Sequence, residues 1–226
     1  MSKVQCILTD IEGTTTDISF VYNTLFPYFR EHLPEWRQQQ TEDVQNILEA
    51  TQRLITDESG GVNLSRDELF DQLLKWSLED RKVTPLKELQ GIIWKQGFES
   101  GALKGHVYPD VAPALNLWKN QGIHLAVFSS GSVGAQRQLF EHSVSGNLTG
   151  FFSHYFDTRT GTKRDPETYK RIAEIMGFAA RNILFLSDVK EELEAAETSG
   201  YKTIQLVRPG TAATWKTIAS DFTQIA

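Results

Sequence analysis

The sequence predicts a doubly wound α/β fold, a parallel sheet with helices on both faces, into which a helical module is inserted. Three observations lead there. Short apolar runs at 4–9, 123–128, 151–156, 183–186 and 203–207 have the length of buried strands. From about residue 105 these runs alternate with stretches of helical period, and strands alternating with helices imply a parallel sheet covered on both faces. From about 20 to 100 the periodicity is helical throughout and strand signals are scarce, so this block interrupts the alternation just after the first strand.

The elements follow in order. Residues 4–9 are β-prone and end at Asp10, with a turn at Gly13. In the helical block, Val44, Ile47, Leu48, Thr51, Leu54 and Ile55 fall on one helical face. Gly60-Gly61 breaks the chain. Ser65 and Glu68 are spaced as a capping box ahead of Leu69, Phe70, Leu73 and Leu74. Pro85 opens a further helix carrying Leu89, Ile92, Ile93 and Trp94. Beyond the block, Val111–Gln121 reads as a helix stopped by Gly122, and a strand follows to Phe128. Asp165-Pro166 is an N-cap with proline at the first helical position, and that helix stops at Gly177. The strand 183–186, a helix over 191–199 stopped by Gly200, and the strand 203–207 complete the pattern. Glycine at these helix ends suits the left-handed C-cap conformation.

Composition bounds the function. A chain of 226 residues with 40% hydrophobic and 23% charged residues has enough apolar content for a full core and a smaller second module. A net charge of −6 without a basic run argues against binding nucleic acid or an anionic membrane. The single cysteine, Cys6, excludes an intrachain disulfide and a cysteine metal cluster, and reads as a small buried hydrophobe. The N-terminus lacks the apolar content of a signal peptide, and no run approaches ~18 apolar residues, so a cytoplasmic protein is expected. No long coiled coil or unaccounted apolar stripe is evident, and a monomer is expected. The five histidines, His32, His106, His124, His142 and His154, show no metal-ligand spacing and read as structural or surface groups.

Ligands of an open α/β sheet bind at the carboxyl ends of its strands, and four such ends carry polar residues. The first ends in Asp10-Ile11-Glu12-Gly13-Thr14, two acids that can face a metal or a phosphate. The second ends in Ser129-Ser130-Gly131, hydroxyls and backbone N–H groups suited to an anion ahead of a helix. Lys163 follows the run ending at Phe156, placed to stabilise a phosphoryl oxygen. The strand 183–186 ends in Ser187-Asp188 with Glu191 and Glu192 behind it, and a strand-end acid is a natural Mg²⁺ ligand. Each feature also has a plain reading: an acidic turn, an N-cap, a solvated lysine, a helix dipole satisfied by acids. Their joint occurrence at successive strand ends favours phosphate chemistry. No P-loop, dinucleotide fingerprint, zincin motif or nucleophile elbow competes.

In this order the motifs resemble the haloacid dehalogenase superfamily of phosphatases, with a Rossmann-like core and a cap inserted after the first motif. The resemblance covers most of the chain and aligns Asp10, Glu12, Ser129, Lys163 and Asp188 with that family's motifs, with Glu192 as an outer ligand. Glu12 stands where most of these phosphatases carry aspartate. The longer strings DIEGTTTDISFV, VFSSGSVGAQRQLF, FLSDVKEELEAAE and VRPG resemble the enolase-phosphatase subfamily of methionine salvage.

That resemblance implies a catalytic core of residues 1–16 and 105–226 and a helical cap of 17–104 that closes over the site. It implies enolisation of 2,3-diketo-5-methylthiopentyl 1-phosphate, then hydrolysis of the enol phosphate to an acireductone and phosphate. Asp10 would be the nucleophile and Glu12 the general acid and base. Lys163, Ser129 and Ser130 would hold the phosphate. One Mg²⁺ would be bound by Asp10, Asp188 and the Glu12 carbonyl. Phe20 or Tyr22 would either line the methylthio tail or simply pack. Three rivals remain: a phosphatase of another small phosphomonoester, a dehalogenase, whose chemistry needs no metal, and a non-catalytic binding module.

Overall fold

The structure is a computed structural model and describes residues 3–225. In chain order the main elements are β1 (Cys6–Thr9), a short α1 (Ile18–Phe20) running into a π-helical turn (Val21–Leu25), α2 (Phe26–Trp36), α3 (Glu42–Ser59), α4 (Arg66–Leu78) and α5 (Thr84–Glu99). Then come α6 (Val111–Asn120), β2 (His124–Phe128), α7 (Val133–Glu141), β3 (His154–Phe156), α8 (Pro166–Met176), β4 (Ile183–Ser187), α9 (Lys190–Thr198), β5 (Lys202–Leu206) and β6 (Ile218–Ala219). The chain divides into two compact units, one comprising Met1–Phe20 with Lys104–Ala226 and the other Val21–Leu103.

In the first unit all six strands pair in parallel in the order β3-β2-β1-β4-β5-β6. Every residue of β1 is buried, as the central strand of a sheet covered on both faces requires. The chain leaves β1 toward β2 and β3 on one side and later returns to β4 and β5 on the other. The order therefore reverses about β1, and a crevice opens between the carboxyl ends of β1 and β4. The register pairs Thr9 with Leu186 and with Val127, so Asp10 leaves the sheet level with the ends of both neighbours.

One core cluster of this unit joins Leu8, Phe128, Phe185, Tyr169, Ile172 and Leu193. Cys6 is buried there with its thiol 3.7 Å from the Met176 sulfur, and burial pushes its pKa up to about 12, which makes it an inert small hydrophobe. Asp17 to Phe20 group with the sheet rather than with the helices. The Asp17 N–H donates to His106 Nδ1, 3.1 Å away, and the Phe20 ring packs on the His106 imidazole.

The second unit is four helices around Phe29, Leu33, Ile47, Phe70, Leu73, Trp76 and Ile93. The predicted capping box is present: Ser65 accepts from the Glu68 N–H, and the Glu68 carboxylate accepts from the Ser65 N–H at 2.7 Å. Thr41 caps α3, and Gly60 ends it with φ +79°. Among the described residues no helix is long and apolar enough to cross a membrane.

Sequence and structure differ by a residue or so at strand and helix ends. The apolar run 151–156 divides into a 3₁₀ turn (Thr149–Phe151) and the short β3. The helix expected after Gly131 is α7, whereas the α1–α2 segment and β6 carried no separately assigned element in the sequence.

Candidate active site

The turn after β1 builds the floor of the site. The Asp10 N–H donates to the Leu186 carbonyl at 2.9 Å, continuing the pairing of β1 with β4. The N–H groups of Thr14, Thr15 and Thr16 all donate to the Ile11 carbonyl, and Gly13 N–H donates to Thr16. The turn is thus satisfied by its own backbone while its threonines are fully buried. Gly13 has φ +78°, and a β-carbon there would fall 2.3 Å from Asp188 Oδ2. Only glycine lets the Asp188 carboxylate lie against this backbone.

Asp10 is only 2% exposed. Its Oδ1 accepts from the Ile11 N–H at 2.7 Å and pairs with the Lys163 ammonium. Lys163 is also buried and donates to Glu192 at 3.1 Å, with the Phe128 ring on its flank. Its carbonyl is fixed by the Tyr169 hydroxyl at 2.8 Å, so the lysine emerges from core packing rather than from a free loop. Burial opposes its charge, but Asp10, Glu192 and Glu12 outweigh that and hold the ammonium well above the usual lysine range.

The Glu12 carboxylate accepts from the Ser129 hydroxyl at 3.0 Å. Ser129 in turn accepts from the Gly131 N–H at 3.0 Å, while Ser130 is exposed and Ser132 caps α7. Asp188 is half-buried, with Thr14 Oγ1 3.4 Å from its Oδ1 and its own carbonyl accepting from Gln205 Nε2 at 2.8 Å. The two acids on α9 separate cleanly. Glu191 is exposed; Glu192 is buried and accepts from the Ser187 hydroxyl at 2.9 Å as well as from Lys163.

The electrostatics are unbalanced. Burial raises the Asp10 pKa, Lys163 opposes this, and Glu192, Glu12 and Asp188 push it further up. Burial raises Asp188 too. Four carboxylates face one ammonium, so the site is short of positive charge. No three His, Cys, Asp or Glu side chains among the described residues form a metal cage. Mg²⁺ takes one or two carboxylates and completes its shell with water and substrate phosphate. The donor set, with Asp188 in the groove left by Gly13, fits such an ion.

Several residues that sequence reasoning left without a role are built into the site. Arg208 and Asp110 form a buried pair beside the Gly13–Thr16 turn. Gln205 ties Asp188 to the segment after β5, and Gln136 donates at 2.8 Å to both Gly131 and Phe156 carbonyls. Asp157, after β3, accepts from the Val133 N–H at the start of α7 and from Arg159. A cleft of about 260 Å³ opens beside Asp188, lined by Gly13, Asp17, Ile18, Tyr108, Arg208 and the loop after it. Of the two aromatic candidates for a substrate tail, Phe20 is buried against His106 and Tyr22 is half exposed, its hydroxyl 3.4 Å from Asp80.

The haloacid dehalogenase-like hydrolase family matches residues 4–200. The chain belongs to that family. Among its relatives, enolase-phosphatase E1 of Picosynechococcus sp. is 47% identical over 93% of this chain and 92% of its own. Enolase-phosphatase E1 of Enterobacter sp. is 51% identical over 91% and 89%. The crystal structure of the Unknown transcript 4 protein of Saccharomyces cerevisiae superposes with a TM-score of 0.81 at 35% identity, covering 99% of this chain and all of that one. Solved structures of lower identity share the fold alone with this chain, among them CbbY from Rhodobacter sphaeroides in complex with phosphate, with TM-score 0.61 at 16% identity. In this haloacid dehalogenase-like chain Asp10 and Asp188, the acids that follow β1 and β4, lie at the switch point of the sheet.

Proposed function

We propose that this hydrolase is an enolase-phosphatase that carries 2,3-diketo-5-methylthiopentyl 1-phosphate through its enol to 1,2-dihydroxy-3-keto-5-methylthiopentene and phosphate. Relatives near half identical over nine-tenths of the chain bear the enolase-phosphatase name. The observation that carries the reading is the placement of Asp10. It is a buried carboxylate at the end of the central strand, ion-paired to Lys163, with Glu12 two residues on and bonded to Ser129.

Asp10 Oδ1 takes the Ile11 N–H and Lys163, which leaves Oδ2 to attack phosphorus in line. The ester P–O bond breaks, Glu12 gives its proton to the departing oxygen, and an aspartyl phosphate forms. Glu12 then takes a proton from water as that water attacks the same phosphorus, which frees Asp10 and releases phosphate. Lys163, Ser129 and Ser130 hold the phosphoryl oxygens, and donors of this kind contribute about 3 kcal/mol each. Mg²⁺, held by the Asp10 and Asp188 carboxylates and the Glu12 carbonyl, would neutralise phosphate charge and polarise the ketone during enolisation. In the same reading the chain works as a cytoplasmic monomer with one Mg²⁺ per subunit.

The test follows phosphate release and enol absorbance together from a 2,3-diketoalkyl 1-phosphate, with Mg²⁺ and with chelator, and with Asp10→Asn as control. Both signals should need Mg²⁺, and Asp10→Asn should abolish phosphate release. Hydrolysis of a generic phosphomonoester with neither signal from the diketone would keep the nucleophile and overturn the substrate.

A further inference from the structure

Arg208 is 5% exposed and committed on several sides. Its Nη1 and Nη2 donate to the two Asp110 oxygens at 2.9 and 2.8 Å, a bidentate pair. Its Nε donates to the Thr14 carbonyl at 2.9 Å. The Tyr108 ring lies beneath the guanidinium, 4.1 Å from centroid to carbon. Asp110 is fixed in turn by the Phe222 N–H at 2.8 Å. With its forks turned onto Asp110 and Thr14, this arginine is arranged as a brace and not as an anion receptor, although it borders the cleft.

What it braces is the turn that holds Asp188. Thr14 carries the carbonyl that Arg208 grips and the hydroxyl that meets Asp188 Oδ1. Gly13, one residue earlier, is the backbone against which the Asp188 carboxylate lies. From the other side Gln205, three residues before Arg208, donates to the Asp188 carbonyl. The end of β5 and the segment after it therefore grip both the turn after β1 and the backbone after β4, across the switch point of the sheet.

We propose that Arg208, anchored by Asp110, is a positioning residue for Asp188, acting through Thr14. The inference rests on the reading of Asp188 as a Mg²⁺ ligand. It sets the aim of that carboxylate rather than the chemistry at phosphorus. Partners of this kind behind a metal ligand typically contribute about 10–100-fold in affinity.

The test compares Thr14→Val, Arg208→Lys and the double variant with the whole wild-type chain. Mg²⁺ binding is measured by titration calorimetry without substrate, kcat and KM for the phosphate ester separately, and folding by circular dichroism. Thr14→Val keeps the shape of the buried side chain, so it guards against the unfolding that loss of the ion pair can cause. The expected result is folded protein in which each single change weakens Mg²⁺ binding about tenfold. KM at saturating Mg²⁺ should stay near wild type, and the double variant should be no worse than the weaker single, because both act on one link. Undiminished Mg²⁺ affinity in folded Thr14→Val, or effects that multiply in the double variant, would overturn the proposal while leaving the phosphatase reading intact. Absence of Mg²⁺ binding in the wild type would instead overturn the metal assignment, and this proposal with it.

Discussion

The Lys163 ammonium lies 3.1 Å from the Glu192 carboxylate while it also pairs with Asp10, so one buried cation is shared between the proposed nucleophile and a second acid. Glu192 is held by the Ser187 hydroxyl and fixes where that cation stands. Lys163→Met should lower kcat about 10²–10³-fold by removing a preorganised donor to the phosphoryl group. It should also cost about 3–5 kcal/mol in urea unfolding, because Asp10 and Glu192 stay buried without their partner. Glu192→Gln keeps the shape and the lysine, and a smaller loss of about tenfold is expected, on the scale of one hydrogen bond to a charged group. Steady-state kinetics on both variants check the ranking, and equal losses would mean that Glu192 does more than position Lys163.

Asp10→Asn and Glu12→Gln should fail at different steps. Asp10→Asn has no nucleophile, so no phosphoprotein should form. Glu12→Gln retains the nucleophile, and an enolate is a weakly basic leaving group that departs with little protonation. Loss of the general base should therefore slow the second step more, reducing kcat about 10²–10⁴-fold with aspartyl phosphate accumulating. The mass of acid-quenched intact protein reads this directly. Phosphate release by Asp10→Asn, or no trapped phosphate on a slowed Glu12→Gln, would contradict the assigned roles.

The parts of the site legible in the sequence were those that local chemistry marks. Asp10, Ser129 and Asp188 follow apolar strands, and the Ser65–Glu68 box closes within one helical turn. The Arg208–Asp110 pair joins residues 98 apart; Arg208 stands in the string VRPG, but nothing local to either residue names the other as its partner. Gln205 reads as a polar lapse in β5. In the fold its amide donates to Asp188, Ala212 and Thr214, and its Oε1 accepts from Thr214 and Trp215. The choice between Glu191 and Glu192 depends on which way α9 faces, which appears only once β4 and β5 are packed. A strand of two residues such as β6 is below what an apolar pattern can signal.

The pH dependence follows from burial. The pKa values of Asp10 and Asp188 are raised in the folded chain, chiefly by burial. A folded-state pKa above the unfolded value means that the folded form holds more protons, so stability falls as pH rises from the ordinary carboxylate range through the raised values. Other carboxylates shift the opposite way, Asp17 through bonds from Ser19 and Asp157 through bonds from Arg159 that outweigh its burial. The difference between Mg²⁺-loaded and chelated protein isolates the site. Mg²⁺ at a hundredfold excess over its Kd should add about 2.7 kcal/mol, or roughly 5–10 °C in Tm for a chain of this size. That increment should shrink as pH falls and the acids take up protons. Melting curves across pH with and without Mg²⁺ check the sign, and an increment that grows toward low pH would refute it.

Gly13 and Gly60 provide a matched pair for separating backbone strain from site geometry. Their φ angles are +78° and +79°, but a β-carbon on Gly13 meets Asp188 at 2.3 Å while one on Gly60 meets nothing within 4 Å. Alanine at either position takes on the left-handed conformation, at a cost of about 1–2 kcal/mol. Only at Gly13 must it also displace the carboxylate. Gly60→Ala should lose stability and retain wild-type kcat and Mg²⁺ affinity. Gly13→Ala should lose at least as much stability, and its kcat and Mg²⁺ affinity should each fall about 10²-fold, since a displacement near 1 Å at a reacting centre costs that much. Urea unfolding, Mg²⁺ titration and kinetics on the two proteins give the comparison. Equal activities would mean that Asp188 tolerates displacement, and would remove it from the set of groups that hold the metal.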